Sequence, residues 1–93
     1  MKRLARLAAM GCIVCRNEGL GASPAEVHHL CGHPWSGMGK RASDDATIPL
    51  CPIHHRTGGG GHVGYHQSPA VFEWRYGDQA TLLEQVDRDL FDD

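Results

Sequence analysis

Hydrophobic residues near the start of the chain recur with the period of a helix. Leu4, Leu7 and Ala8 occupy positions i, i+3 and i+4, and this spacing places the three apolar side chains on one face of a helix. Gly11 follows the pattern and is expected to end the helix. A short amphipathic helix is therefore predicted ahead of the first cysteine.

Two more helices are predicted in the C-terminal part, over about residues 69–76 and 79–91. The first begins with Pro69 behind a Ser68 cap, an order that is common at helix starts. The second has an apolar face, which is formed by Leu82, Leu83, Val86 and Leu90. The aromatic residues of the first helix are expected to pack in the core or at its boundary; they are Phe72, Trp74 and Tyr76.

Between these helical ends the pattern changes to two short β-favouring runs. The run "AEVHHL" predicts a strand whose end carries His28 and His29. The run "TIPL" predicts a second strand, in which Pro49 suits an edge position because it lacks a backbone N–H. Residues 31–46 lie between the runs, and their Gly, Ser and Asp content predicts a surface loop. Together with the helices, the pattern favours an α+β fold.

The length and composition favour one small domain, spanning residues 1–93, whose thin core needs a further source of stability. Small domains commonly add disulfides or a structural metal. The chain has four Cys and seven His, and its start lacks the organisation of a secretory signal peptide. No apolar run reaches the roughly 18–20 residues of a membrane span. Cysteines in this context indicate metal or redox chemistry, and we expect a cytoplasmic protein with no membrane partner.

The net charge of −2 is unevenly distributed along the chain. Residues 1–66 hold seven basic and four acidic side chains, whereas residues 67–93 hold two basic and seven acidic ones. The first part, with its net charge of +3, could approach a polyanion, and bound cations would strengthen that tendency. An ordinary solvated surface would show the same imbalance, so charge alone does not decide between them.

Two motifs with the same spacing predict a structural zinc site. Cys12 and Cys15 form a Cys-x-x-Cys turn, and Cys51 and His54 repeat the spacing with an imidazole. Three thiolates and one imidazole suit tetrahedral Zn²⁺. Closing the gap of 35 residues costs about 3 kcal/mol, whereas structural zinc contributes on the order of 10–16 kcal/mol. Cys31 has no partner at this spacing and is expected to be a free thiol, with replacement of His54 as fourth ligand the alternative.

Histidines outside this motif indicate a second metal site. His28 and His29 are adjacent in the predicted strand, so their side chains point to opposite faces and are not expected to bind the same ion. One could bind a metal while the other takes a proton from the substrate side. His55 directly follows the predicted zinc ligand and is displaced toward this second site. His62 and His66, beyond a run of four glycines, are further candidates.

The order of these motifs resembles that of the HNH (ββα-metal, His-Me finger) endonucleases, and specifically their Ref-like, phage recombination-enhancement branch. The resemblance covers residues 4–90 and rests on the segments "CIVC", "EVHHL", "SGMGKRASD", "IPLCPIHH", "GYHQ" and "FEWRYG". It implies a small ββα-metal core with a structural zinc knuckle and flanking helices. It also implies a metal-dependent DNA endonuclease of a phage or prophage in a bacterial host, with a recombinase or another phage protein as a further partner.

The resemblance also implies roles for individual histidines. Such families place a metal ligand and then the general base at the end of the strand, which makes His28 the ligand and His29 the base. His55 matches the closing histidine of the family motif. His66 in "GYHQ" matches a third ligand better than His62 does. The implied catalytic metal is a divalent ion such as Mg²⁺, Mn²⁺ or Zn²⁺.

The sequence departs from the family motif at its asparagine. That position falls near Ala46, whose methyl group can neither orient a base nor bind a metal. Asp45 is the nearest group able to do so and is therefore the second candidate catalytic residue. The departure leaves open a catalytically inactive, zinc-stabilised nucleic-acid-binding module. An electron carrier of the zinc-ribbon or rubredoxin type would need a cysteine in place of His54.

Overall fold

The computed structural model describes residues 2–37 and 40–91. Its elements, in chain order, are α1 (Lys2–Met10), α2 (Ile13–Asn17), β1 (Glu26–His29), β2 (Thr47–Leu50), a π-helical turn (Ile53–Thr57), α3 (Pro69–Tyr76) and α4 (Gln79–Phe91). The predicted α+β class is confirmed, and α3 and α4 begin and end at the expected residues. Within the described residues, every helix is too short or too polar to cross a membrane.

The two strands form an antiparallel sheet in which His28 lies opposite Ile48 and Val27 lies opposite Pro49. A two-stranded sheet leaves one edge of each strand unpaired, and such an edge tolerates a proline nitrogen without hydrogen. All four residues of β2 are buried, because helices α1, α2 and α4 pack against this strand. The sheet is therefore the centre of the fold, although each strand is only four residues long.

Arg3 connects three elements around the sheet. Its guanidinium donates to the hydroxyl and the carbonyl oxygen of Thr47 at 2.9 and 2.7 Å, and to Asp87 Oδ1 at 2.8 Å. Thr47 is fully buried at the start of β2, and Asp87 lies on α4. The first helix is thereby attached to a strand and to the last helix, which are distant from it in the sequence.

The C-terminal helices follow the predicted pattern with two differences. Asp78 caps α4, since its Oδ1 accepts a hydrogen bond from Thr81 N at 2.8 Å. Ser68 occupies the N-cap position of α3, but its side chain makes no capping hydrogen bond. The expectation that Trp74 packs in the core or at its boundary is wrong, because 84% of this residue is exposed. Phe72 is buried. Trp74 follows it by two positions, so its side chain lies on the opposite side of the helix and points to solvent.

The Cys-x-x-Cys segment differs from a simple turn, since it forms the short helix α2. Gly11 separates α1 from this helix with a φ of 81°, a left-handed conformation that glycine adopts without strain. A Cβ atom at this position would lie 3.0 Å from the carbonyl oxygen of Ser23. The sharp change of direction at Gly11 brings the first cysteine pair against the end of β2.

Candidate metal centres

Three cysteines and one histidine meet in the interior of the protein, and their ligand atoms all lie within 4.8 Å of one another. Cys12 caps the N-terminus of α2, and its sulfur accepts a hydrogen bond from Cys15 N. Cys51 directly follows β2, and His54 lies in the π-helical turn. All four residues are buried. The cluster therefore joins α2, the end of β2 and the π-helical turn.

Four separations between ligand atoms of this cluster are compatible with a tetrahedral zinc site. His54 Nδ1 lies 3.7, 3.5 and 3.3 Å from the sulfur atoms of Cys12, Cys15 and Cys51. The sulfurs of Cys15 and Cys51 are 3.8 Å apart. Tetrahedral zinc with ordinary bond lengths places two sulfurs about 3.8 Å apart and a sulfur and a nitrogen about 3.6 Å apart. The cluster could thus hold a structural metal such as zinc.

The pKa of the Cys12 thiol also indicates that a cation would stabilise the cluster. Burial raises the pKa of the Cys12 thiol to about 12, and the neighbouring thiolates of Cys51 and Cys15 add to the effect. A thiolate at Cys12 is therefore unfavourable in the absence of a positive charge. A divalent ion reverses this preference, because a thiol that coordinates a metal is deprotonated.

His62 lies behind the ligand His54, away from the other histidines. Its Nδ1 is 3.2 Å from His54 Nε2, and a pair of backbone hydrogen bonds with Gly59 holds the residue in place. Tying the second nitrogen of a metal-binding imidazole fixes the orientation of its ring. His62 was expected as a weaker alternative to His66 in the second site, and the structure places it at the cysteine cluster instead.

Cys31 lies outside the cysteine cluster. Its backbone N–H donates to Gln79 Oε1 at 2.9 Å, and its carbonyl oxygen accepts from Gln79 Nε2 at 2.9 Å. Its sulfur lies 3.6 Å from the carbonyl oxygen of His29. The fourth position beside the three clustered cysteines is filled by His54, so the geometry assigns no ligand role to Cys31.

A second cluster brings together His28, His55 and His66. One ring nitrogen from each lies within 4.8 Å of the other two, and the ring centroids are 4.9 to 5.3 Å apart. His28 comes from β1, His55 from the π-helical turn and His66 from the loop ahead of α3. Burial decreases from His28, which is 1% exposed, to His66, which is exposed. The cluster therefore opens to solvent at His66.

The hydrogen bonds of Gln79 determine which nitrogen of His28 is free. Because Gln79 Nε2 donates to the carbonyl of Cys31, its Oε1 must be the atom that faces His28 Nε2 at 3.1 Å. His28 Nε2 therefore donates, and Nδ1 carries the lone pair. Among the described residues this buried Nδ1 has no hydrogen-bond partner. Burial lowers the pKa of His28 to about 4, so the ring is neutral near pH 7 and suited to bind a metal.

Glu26 determines which ring nitrogen of His55 is free, as Gln79 does for His28. Its Oε1 accepts a hydrogen bond from His55 Nδ1 at 2.8 Å, which leaves Nε2 free to face a metal. Arg56 holds the same carboxylate through two hydrogen bonds of 2.9 and 2.7 Å. The hydrogen bonds from Arg56 and then His55 lower the pKa of Glu26 to about 2. An ionised carboxylate behind a ligating imidazole is a common arrangement at metal sites.

The loop that carries His66 is attached to the π-helical turn by its main chain. Tyr65 N donates to the carbonyl of His54 at 2.8 Å, and His66 N donates to the carbonyl of His55 at 3.0 Å. Gly64 allows this close approach, since a Cβ atom there would lie 2.8 Å from the carbonyl carbon of Arg56. The backbone carbonyls of His54 and His55 thus hold the loop that carries His66, while their side chains belong to the two different clusters.

His29 points to a different partner from the one that the sequence predicts. Its Nε2 lies 2.8 Å from Asp44 Oδ1, and Thr47 donates its hydroxyl to the carbonyl of Asp44 at 2.7 Å. Asp45 is exposed and makes no hydrogen bond to His29 in the described structure. The carboxylate beside the candidate base is therefore Asp44, one residue before the predicted one.

Three residues that orient the histidines were not predicted from the sequence, namely Glu26, Asp44 and Gln79. Glu26 had a usable signal, because it lies two residues before His28 and alternate residues of a strand share a face. Gln79 had none, since it contacts His28 across 51 positions of the chain. Asp44 and Asp45 are chemically equal, and only the loop conformation distinguishes them.

Comparison with known proteins relates this chain to nucleases. Residues 1–90 match the profile of a family described as "Recombination enhancement, RecA-dependent nuclease". Over 71 residues the chain is 37% identical to YdfU, an uncharacterized protein of Escherichia coli (strain K12). The match covers 75% of this chain but only 18% of that protein, so the chain spans a small part of its relative. No solved structure matches the chain significantly.

Replacing a cysteine of the cluster tests its structural role. Cys12→Ser should lower the zinc content and largely unfold the protein, a loss of several kcal/mol, since metal binding and folding are coupled. The measurement is zinc content by elemental analysis together with thermal unfolding. Cys31→Ser is the matched control and should be nearly silent. A Cys12→Ser protein with unchanged zinc and unchanged Tm would contradict the assignment.

His62 should tune the structural metal rather than the second one. His62→Ala removes the partner of His54 Nε2, and loss of such a partner lowers metal affinity by roughly 10- to 100-fold. Competition with a zinc-binding dye measures this affinity. His33→Ala, a change at an exposed loop histidine, is the control and should keep the original affinity. Equal zinc affinities of the two variants would remove His62 from this role.

Proposed function

The chain belongs to the recombination enhancement, RecA-dependent nuclease family, and from this membership we propose that it is a metal-dependent DNA endonuclease of the HNH type. The observation that carries the proposal is the buried Nδ1 of His28, which has no hydrogen-bond partner among the described residues, in a ring that lies beside those of His55 and His66. A buried polar atom without a partner is destabilising, and a metal ion would satisfy it. An endonuclease of this type also needs an oriented general base next to the metal ligand, and the hydrogen bond to Asp44 orients His29 for this role.

His28, His55 and His66 would hold the catalytic ion in this proposal. Imidazole nitrogens suit zinc and other transition metals, whereas Mg²⁺ prefers oxygen ligands and retains several waters. The donor set therefore favours a transition metal over Mg²⁺. When bound, a divalent ion would stabilise the negative charge that develops on the phosphate and on the leaving 3′-oxygen.

His29 is the proposed general base. The Asp44 carboxylate only accepts hydrogen bonds, so the proton of the neutral His29 ring lies on Nε2, at 2.8 Å from Asp44 Oδ1. Nδ1 is left with a lone pair and can take a proton from the attacking water. Asp44 would then stabilise the imidazolium that results, as a carboxylate does behind the histidine of a hydrolytic triad. In this role Asp44 is a positioning residue and not a catalytic one.

The position of the family asparagine does not need a side chain here. Ala46 contributes its backbone, since its carbonyl accepts a hydrogen bond from Leu30 N at 3.0 Å and so closes the loop between the strands. The carboxylate of Asp44, two residues earlier, supplies the polar group at the root of the same loop. The loss of the asparagine by itself favours an inactive, zinc-stabilised nucleic-acid-binding module, whereas the Asp44 carboxylate beside His29 and the clustered histidines support catalysis.

DNA is the proposed substrate, and a recombinase of the RecA class is the proposed partner. The family description supports both. Residues 1–66, which contain nearly all of the described site, carry the positive part of an otherwise acidic chain. The net excess is only three positive charges, so a partner that delivers the DNA would compensate for weak electrostatic attraction. The reaction would take place in the cytoplasm of a bacterial host.

The two adjacent aspartates provide a matched test of the base. His29→Ala should lower DNA cleavage by at least about 100-fold, with zinc content and folding unchanged. Asp44→Ala should lower kcat by roughly tenfold or more with little effect on KM, because it misorients the ring without touching DNA. Asp45→Ala should cleave normally. Cleavage of a plasmid with added metal measures all three. An intact rate in His29→Ala would falsify the base assignment, and a loss shared by Asp45→Ala would remove Asp44 from its role.

The two metal centres should separate under mild chelation. In this proposal the catalytic ion would be held by three imidazoles at a cluster open to solvent, whereas the structural ion would have buried cysteine ligands and would stabilise the fold. Increasing chelator should therefore abolish cleavage before it changes the circular dichroism spectrum. His66→Ala should raise the metal concentration required for cleavage, and His62→Ala should leave it unchanged. Simultaneous loss of cleavage and folding would argue against two separate ions.

A further inference from the structure

The loop between β1 and β2 carries a pocket that the proposed catalytic machinery does not use. This open pocket has a volume of about 550 Å³ and is lined by Pro34, Trp35, Ser36, Gly37, Lys40 and Arg41. The described residues of its lining combine an aromatic ring with two cationic side chains and include no carboxylate. This combination is typical of surfaces that bind single nucleotides, where a base stacks on the ring and cations contact phosphate.

The walls of the pocket are held by hydrogen bonds within the loop. The backbone N–H groups of Trp35 and Ser36 both donate to the carbonyl of Gly32 at 2.9 Å, and Gly32 N donates to the Ser36 hydroxyl at 2.8 Å. Gly37 and Lys40 face each other in a backbone bridge. Trp35 is half-buried and packs against the hydrophobic core. Trp35 therefore contacts the core and also lines the pocket.

The two cationic side chains of the pocket have no ion-pair partner among the described residues. Lys40 and Arg41 are exposed, and neither side chain makes a hydrogen bond or an ion pair with any residue in 2–37 or 40–91. Other arginines of the chain are engaged, for example Arg3 with Asp87 and Arg56 with Glu26. Two unpaired cations beside an aromatic ring keep their full charge for an anionic ligand.

The pocket lies on the loop that follows the proposed base His29 and that carries its partner Asp44. The loop leaves the sheet directly after His29 and returns through Asp44. Arg41 precedes Asp44 by three residues, so their Cα atoms are at most about 11 Å apart. Successive nucleotides of one DNA strand are about 3.4 Å apart along the duplex axis. A ligand in the pocket is thus within a few nucleotides of a phosphate at His29.

We propose that this pocket binds one unstacked nucleotide of the DNA strand that is cut, near the scissile phosphate. The base stacks on Trp35, and Lys40 and Arg41 contact the phosphates on either side. Stacking on a protein side chain requires a base that has left the duplex, so the enzyme favours single-stranded or distorted DNA over a regular duplex. The inference rests on the proposed nuclease function for its choice of ligand, and a binding measurement without cleavage tests it separately.

Tryptophan fluorescence observes the pocket directly. The chain has two tryptophans, and Trp74→Phe, a change at an exposed position, leaves Trp35 as the only one. A short single-stranded oligothymidylate, added without divalent metal, should quench this fluorescence to saturation, with the same Kd as fluorescence anisotropy of the labelled oligonucleotide. A regular duplex of equal length should quench less. Binding without any change in Trp35 fluorescence overturns the proposal, and quenching by polyglutamate alone would assign the pocket to an acidic protein partner.

Mutations supply the quantitative test. Trp35→Ala should weaken oligothymidylate binding by roughly 5- to 150-fold, the range for loss of one stacked base. Trp74→Ala removes the other tryptophan and should leave affinity unchanged. Lys40→Ala and Arg41→Ala should each reduce the slope of log K against log salt by about 0.7. These two exposed residues keep the test valid even if Trp35→Ala impairs folding, and unchanged slopes in both would overturn the phosphate contacts.

The outcomes separate the pocket from the nuclease activity. If the wild-type protein binds the oligonucleotide with quenching but cleaves no DNA with any added divalent metal, the pocket proposal is supported and the proposed nuclease function is contradicted. If the protein cleaves DNA while Trp35→Ala and Trp74→Ala bind and cleave alike, the nuclease function stands and the pocket proposal falls.

Discussion

The convergence of three sulfurs and one imidazole is the interaction on which the rest of this structure depends. The sheet has only two strands of four residues each, and a sheet of that size is marginal without further support. The cysteine cluster joins α2, the end of β2 and the π-helical turn. A metal there would stabilise the fold by an amount larger than the loop-closure entropy that opposes it.

The same cluster also determines the position of the second site. His54 and His55 are adjacent, and one faces the sulfurs while the other faces the histidines of β1 and the loop. The carbonyl groups of both residues accept hydrogen bonds from the loop that carries His66. Fixing His54 therefore fixes the backbone that presents His55 and receives His66. The cysteine cluster thus fixes the relative positions of the three histidines, of which His66 is exposed to solvent.

What could be predicted from the sequence depended on short-range spacing. The paired Cys-x-x-Cys and Cys-x-x-His motifs identified the four clustered residues. Apolar periodicity identified α1 and α4, the Ser-Pro start identified α3, and β-favouring runs identified the strands, whereas α2 was expected only as a turn. The partners that orient the histidines depend on contacts far apart in the chain or on loop conformation, as for Gln79 and Asp44. Trp74 was misplaced because hydrophobicity alone cannot tell which face of a short helix is covered. Local patterns therefore predict ligands better than they predict the groups behind them.

The hydrogen bond between Gln79 and His28 links the last helix to the chemistry of the first strand. Gln79 is the first residue of α4 and is almost completely buried, and its amide selects the ring nitrogen that His28 offers. A fragment that stopped at Gly77 would retain every candidate ligand of both centres yet lose the group that sets this tautomer. The smallest fragment that retains the geometry of this histidine cluster is therefore larger than the segment that contains its candidate ligands. Searches for, or designs of, minimal versions should include the first turn of the following helix.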